Sequence, residues 1–213
     1  MFLRAADVPA QVYALSPSDA AMVLSWHEIA QSVPELGQPK RRAVALRPNQ
    51  IAVAIWAKIG GIEILLGADL EESANPALGW QAIVKSATRP GTAAHVLKVP
   101  HHGSPTAYSK DLWTKLAKQE VRAVVTPFAT GGKFLPSKED FKRIQSHTSE
   151  FFCTAQPGGG RPTRRSGAVE SMANQIARNR VRVRGAMGHV RLRAAAGREP
   201  LATHLCRGAF KVT

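Results

Sequence analysis

Two short segments of this chain carry side chains that can ligate a metal ion. In the run from Ile64 to Glu71 (ILLGADLE) a carboxylate, Asp69, follows an apolar stretch, and in the run from Leu97 to Ser104 (LKVPHHGS) the pair His101-His102 follows another. Aspartate supplies a hard oxygen donor and histidine a borderline nitrogen, a pairing suited to zinc, manganese or iron. A carboxylate can also bridge two metal ions about 3.5–4 Å apart, the arrangement of two-metal hydrolases. Taken alone, a Gly-x-Asp after a strand ordinarily makes a turn or helix cap, and a His pair between Pro and Gly can be a loop of satisfied imidazoles. Together, each at the C-terminal end of an apolar strand, they occupy the place where open α/β sheets build sites.

The elements that must position these residues read as follows. Residues 11–15 form a short strand, Ser16-Pro17-Ser18-Asp19 supplies capping side chains, and a helix follows from Ala20 to Ser32. Residues 51–59 and the strand Ile62–Leu66 flank Gly60-Gly61, a β-hairpin signal. The nearly continuous apolar run of the second strand predicts burial on both faces. A helix over about 77–86 precedes a strand over 94–99. Then helices near 109–119 and 136–147 alternate with strands at 121–127 and 151–155. This alternation predicts βαβ units and parallel pairing. Residues 156–167 form a Gly/Pro/Arg loop, 169–179 a helix, and 181–185 and 189–194 alternate apolar residues with Arg, the period of half-exposed strands. One further strand is expected near 203–212.

Composition bounds the rest. The chain has 213 residues, 44% hydrophobic, a length and apolar content sufficient for one domain with its own core. Cys153 and Cys206 are the two cysteines, which excludes a disulfide scaffold and a Cys-rich zinc fold and fits a reducing compartment. No long apolar run and no secretory leader pattern occurs, so a cytoplasmic location away from membranes is expected. The net charge of +14 is uneven: residues 1–160 hold 17 basic and 13 acidic side chains, residues 161–213 hold 12 and 2. The chain therefore divides into an α/β body, 1–160, and a basic C-terminal extension, 161–213, expected to complete the sheet.

The strand followed by Gly67-Ala68-Asp69, with Leu97-Lys98-Val99-Pro100-His101-His102-Gly103-Ser104 after it, resembles the C-terminal half of the metallo-β-lactamase superfamily, in the branch of ComEC-like metallohydrolases. Residues 12–19, Pro48-Asn49 before the hairpin and the strand His189–Arg193 support the resemblance, which covers most of 10–155 and part of 181–212. It implies part of an αββα sandwich with a terminal antiparallel Arg-rich strand pair, and hydrolysis of phosphodiester or related bonds. It also implies two zinc or manganese ions per complete site, with Asp69 bridging them and one of His101 and His102 holding the second. Position directly after the strand and Pro100 favours His101; spacing alone leaves both open. Gly67, Gly103 and Ser104 would shape the site.

The family's first metal site comes from an N-terminal H-x-H-x-D-H motif. The seven histidines here, 27, 95, 101, 102, 147, 189 and 204, form no H-x-H. The chain thus reads as a truncated or split metallohydrolase, impaired alone, whose partner is a missing N-terminal half or a second copy. An auxiliary histidine that the family often carries before a Pro is replaced by Leu135-Pro136.

The other histidines have structural explanations. His95 lies at the far end of its strand, roughly 20 Å from His101 by extended rise, and reads as a strand-end or surface residue. His27 reads as exposed or half-buried on its helix, and His147 as a helix C-terminal residue favoured by the dipole. His189 and His204 read as strand residues, and Cys153 as core. In the basic extension, Arg164 and Arg165 on the loop and Arg182, Arg184, Arg191 and Arg193 at spacing two would share a face, suited to phosphate contacts with nucleic acid or a phosphate-bearing substrate. The second reading is therefore a non-catalytic nucleic-acid-binding module.

Overall fold

A computed structural model describes residues 8–39, 47–130, 133–157, 166–176, 188–195 and 198–213. Its centre is a mixed sheet of seven strands. In chain order these are β1 (Ala10–Ala14), β2 (Ile55–Ile59), β3 (Ile62–Leu66), β4 (Ala94–Lys98), β5 (Ala117–Val125), β8 (Phe151–Cys153) and β11 (Phe210–Lys211), and they lie in the order β1-β2-β3-β4-β5-β8-β11. Gly60-Gly61 closes the β2–β3 hairpin, with Ile59 opposite Ile62. From β3 to β8 all pairs are parallel, as the βαβ alternation predicts.

The register sorts the side chains into two faces. Tyr13, Trp56, Leu65, Leu97, Ala123 and Phe151 point to one face. It is covered by α2 (Gly79–Lys85), a wide turn at Leu112–Leu116 and α3 (Lys138–Gln145), whose Trp80, Ile83, Leu112, Leu116 and Ile144 complete the main core. Burying a large side chain of this kind contributes about 1.5–3 kcal/mol, so this face dominates stability. α3 starts in a capping box, Ser137 Oγ accepting from the Asp140 N–H while Asp140 accepts from the Ser137 N–H.

The opposite face is covered over Ile62, Val96 and Phe152, which are buried, and exposed toward its β1–β3 end. Its rows run Val12–Ala57–Ile64–Val96–Arg122 and Ile55–Leu66–Lys98–Val124–Phe152. A separate antiparallel ribbon, β9 (His189–Ala195) with β10 (Arg198–Cys206), covers part of it, seating Leu192, Ala194 and Leu201 on Ile62, Ile64 and Val96. Val12 stays 69% exposed and Leu66 40%.

Several expectations are corrected. β3 is not buried on both faces, because nothing described covers Leu66. The expected helix at 109–119 shrinks to the Leu112–Leu116 turn, and β5 begins at Ala117. β9 pairs with β10, the strand just after it; residues 181–185 lie outside the described residues. The ribbon forms its own sheet, and only β11 extends the main one. A small hairpin, β6 (Phe128–Thr130) with β7 (Lys133–Leu135), has no counterpart in the sequence reading. The helices α1 (Asp19–Gln31) and α4 (Gly167–Ile176) agree with the sequence to within a few residues. α1 buries only Ala21 and leaves Trp26 63% exposed. Among the described residues no helix is long and apolar enough to cross a membrane.

Candidate metal centre

Asp69 and the His101-His102 pair do come together, at the C-terminal ends of the adjacent parallel strands β3 and β4. Gly67 makes this possible. Its N–H donates to the Lys98 carbonyl at 3.1 Å, and a Cβ at this position would lie 2.8 Å from Pro100 Cβ and 2.9 Å from Lys98 O. No side chain fits between the two strand ends.

After Pro100 the backbone turns through three consecutive left-handed residues, His101 (φ 42°), His102 (φ 55°) and Gly103 (φ 77°). For the two histidines this conformation costs about 1–2 kcal/mol each. The turn is held by the His101 N–H on Ala68 O at 2.9 Å and the Ser104 N–H on His101 O at 2.9 Å. Gly103 packs against Ile144 and Pro136, and its carbonyl accepts from Arg143 at 3.1 Å. Ser104 Oγ lies 3.0 Å from Thr106 Oγ1. Gly67, Gly103 and Ser104 thus shape the loop.

The two imidazoles face different carboxylates. His102 Nε2 lies 3.8 Å from Asp69 Oδ1, and its Nδ1 is 2.8 Å from the Thr126 carbonyl. A carbonyl only accepts, so Nδ1 carries a proton, and Nε2 is the ring nitrogen on the Asp69 side. The ring stacks on Phe128 at 5.0 Å. His101 Nδ1 instead lies 3.0 Å from Glu71 Oε1, and Thr106 Oγ1 donates to the same oxygen at 2.8 Å. Glu71, two residues beyond Asp69, is a functional-type residue that the sequence reading misses; its position in the same strand-end loop is the signal that could have found it. The sequence favours His101 as the ligand and leaves His102 open; in the structure the imidazole nearer Asp69 is that of His102, which also sits against Thr126 and Phe128 just beyond β5.

This donor set falls short of a complete metal site. Asp69 and His102 offer an oxygen and a nitrogen with the orienting backbone bond typical of a ligating histidine. A catalytic zinc site takes about three protein ligands, and among the described residues no group of three ligating side chains converges. A dinuclear site from this chain alone is therefore not supported.

Lys98 lies below this rim on the face opposite the main core. Burial lowers its pKa, opposed by the nearby Asp69 charge and then by Cys153. Its ammonium donates to Val99 O at 3.2 Å. Cys153 is core, as expected, and burial raises its pKa.

The remaining histidines stay away from this centre. His95 is at the other end of β4, as its position requires, but it is buried rather than surface-exposed. Its Nδ1 is 2.7 Å from Glu63 Oε2, and its Nε2 contacts Lys118 and lies 3.4 Å from Glu199. His147 is stacked on Trp113 at 4.9 Å, with Tyr108 Oη 3.0 Å from Nε2. Burial, then Arg143 and Lys110, lowers its pKa, so the helix dipole does not dominate there. His27 is exposed beside Gln31. Of the arginines, Arg191 and Arg193 are exposed on one face of β9; Arg164, Arg165, Arg182 and Arg184 lie outside the described residues. A cavity of about 310 Å³ lies elsewhere, between β1 and α2, lined by Tyr13, Leu15, Ile83 and Arg89.

The chain matches no family model, no curated protein and no solved structure.

Proposed function

We propose that this chain contributes the later half of the metal site of a metallo-β-lactamase-like hydrolase acting on phosphodiester or related bonds. Asp69 and His102 are its ligands, and Glu71 and Thr106 hold His101 beside them. In a complete site of this class, the metal pair activates water and neutralises charge developing on the substrate's oxygens. What carries the reading is the His102 ring, tied through Nδ1 to Thr126 O with Nε2 directed at Asp69 Oδ1. Two ligands among the described residues are too few for turnover, so the complete site takes further ligands from outside them. The exposed β1–β3 end of the sheet, with Val12, Ile59 and Leu66, supports a partner as their source, since a sandwich half leaves part of that layer uncovered.

Manganese binding followed by electron paramagnetic resonance tests this. Manganese suits a carboxylate-imidazole pair. Uptake by the unmutated chain should be lost in Asp69→Ala and His102→Ala and kept in His101→Ala. A chain that takes up no manganese, or whose uptake ignores both substitutions, overturns the assignment.

A second reading has its own observation, the exposed pair Arg191 and Arg193. A nucleic-acid-binding ribbon would give a negative slope of log K against log salt; a slope near zero removes it.

A further inference from the structure

The β9–β10 ribbon brings three ligand-type side chains to one of its faces. Its register sets His189 opposite Cys206 and Arg191 opposite His204. Alternate residues of a strand share a face, so His189, His204 and Cys206 stand together on the side away from Leu192, Ala194 and Leu201, which pack on the sheet. Exposure follows the same alternation: His189, Arg191 and Arg193 are exposed between half-buried Val190, Leu192 and Ala194. On β10, His204 is exposed and Cys206 is a half-buried free thiol.

We propose that His189, His204 and Cys206 form a surface site for a transition-metal ion of the zinc class, independent of the Asp69–His102 centre. A His-x-Cys on one strand places two donors about 6.8 Å apart along the chain. A residue directly opposite on the partner strand has its Cβ about 4.5–5.5 Å away. Side chains as long as imidazole and thiol close those gaps onto an ion bound at about 2.0–2.3 Å. In the rotamers they adopt here the three do not converge. Closure takes side-chain rotation on an outward face, with no hydrogen bond to another described residue to break.

The backbone under the site is fixed. The Gly188 N–H donates to Thr154 O at 3.0 Å, and the Ala209 N–H donates to Cys206 O at 3.3 Å. A Cβ at Gly188 would lie 2.5 Å from Cys206 O. The strand ends bearing His189 and Cys206 are thus locked against each other and against the body.

Two imidazoles and a thiolate are a soft-to-borderline set that selects zinc, cobalt or copper over magnesium and manganese, and they leave a fourth position for water or an anion. Arg191, on the same face opposite His204, works against a bare dication. The thiolate offsets this by cutting the site's charge by one. Binding then releases the thiol proton, so affinity rises with pH.

Cobalt(II) added to the full chain tests the site. One equivalent should give a thiolate-to-cobalt charge-transfer band in the near ultraviolet, displaced by zinc. The band should vanish in Cys206→Ser, and fall in His189→Ala and His204→Ala. It should persist in Cys153→Ser and in the Asp69→Ala/His102→Ala double variant, which separates this site from the proposed hydrolase centre. Far-ultraviolet circular dichroism checks that each variant is folded. No band, a band that survives Cys206→Ser, or a band that disappears with the Asp69/His102 pair in a folded variant overturns the proposal.

Discussion

His102 and Asp69 meet across the ends of two adjacent parallel strands, Nε2 lying 3.8 Å from Oδ1, while the neighbouring His101 turns to Glu71 at 3.0 Å. The Thr126 carbonyl 2.8 Å from Nδ1 decides the proton's place. A long-range proton–nitrogen-15 correlation spectrum of the neutral ring should therefore show His102 with a protonated Nδ1 and a bare Nε2. The opposite tautomer would mean that the Thr126 bond is absent in solution and that His102 is not preset as a ligand.

Gly67 is the steric hinge of the centre. A methyl group there meets Pro100 Cβ at 2.8 Å and Lys98 O at 2.9 Å, both on backbone or a rigid ring. Gly67→Ala should destabilise the chain by about 1–3 kcal/mol, the range for overpacking. Gly91, where an added Cβ would have nothing within 4 Å, is the control, and Gly91→Ala should stay within about 0.5 kcal/mol. Urea unfolding measures both. Equal stabilities would mean that the β3 and β4 ends move apart freely.

The sheet and the strand-end site are legible because their signals are local. Ile62–Leu66 and Ala94–Lys98 are apolar runs, Gly60-Gly61 marks the turn between β2 and β3, and Asp69 and His101-His102 directly follow strands. What is not legible depends on tertiary geometry. Which histidine faces Asp69 rests on the positive φ of His101 and His102, which no spacing encodes. The pairing of Glu71 with His101 joins residues thirty positions apart in sequence. β9 alternates cleanly, but its partner β10 carries Glu199-Pro200 and an irregular register between Arg198 and Ala202, so by pattern alone the Arg-alternating run at 181–185 looks the better partner. Burial on both faces of β3 follows from composition, whereas exposure of Leu66 depends on what covers the sheet.

Two histidines make stability depend on pH. His95 has its pKa lowered from the ordinary value of 6.5 by burial and then Lys118, against the opposing pull of Glu63 and Glu199. His147 is lowered by burial, then Arg143 and Lys110. As pH falls, the unfolded chain binds these protons first. Their contribution is therefore fully present above about 6.5 and is lost as pH drops through 6.5 toward the folded values. Unfolding free energy from urea titrations should fall between pH 7 and 5. The fall should be shallower in His147→Gln, whose amide keeps a partner for Tyr108. An unchanged slope in that variant would show that His147 titrates alike folded and unfolded.

The exposed β1–β3 end of the sheet face should make the chain self-associate. Val12, Ile59 and Leu66 lie on this face at 69%, 42% and 40% exposure, and β1, the edge strand, carries no charged residue over Ala10–Ala14. Native edges are normally blunted by charge, proline or a bulge, and a contiguous apolar patch of this kind ordinarily marks an interaction surface. Size-exclusion chromatography with light scattering should find dimers or larger species at micromolar concentration. Val12→Lys combined with Ile59→Glu should shift them toward monomer. Val12 is largely and Ile59 partly exposed, so the double variant should lose no more than about 1 kcal/mol of stability, the scale of two surface substitutions. A monodisperse monomer from the unmutated chain would show that this face is not an association surface, and would remove its support for a sandwich half with a partner.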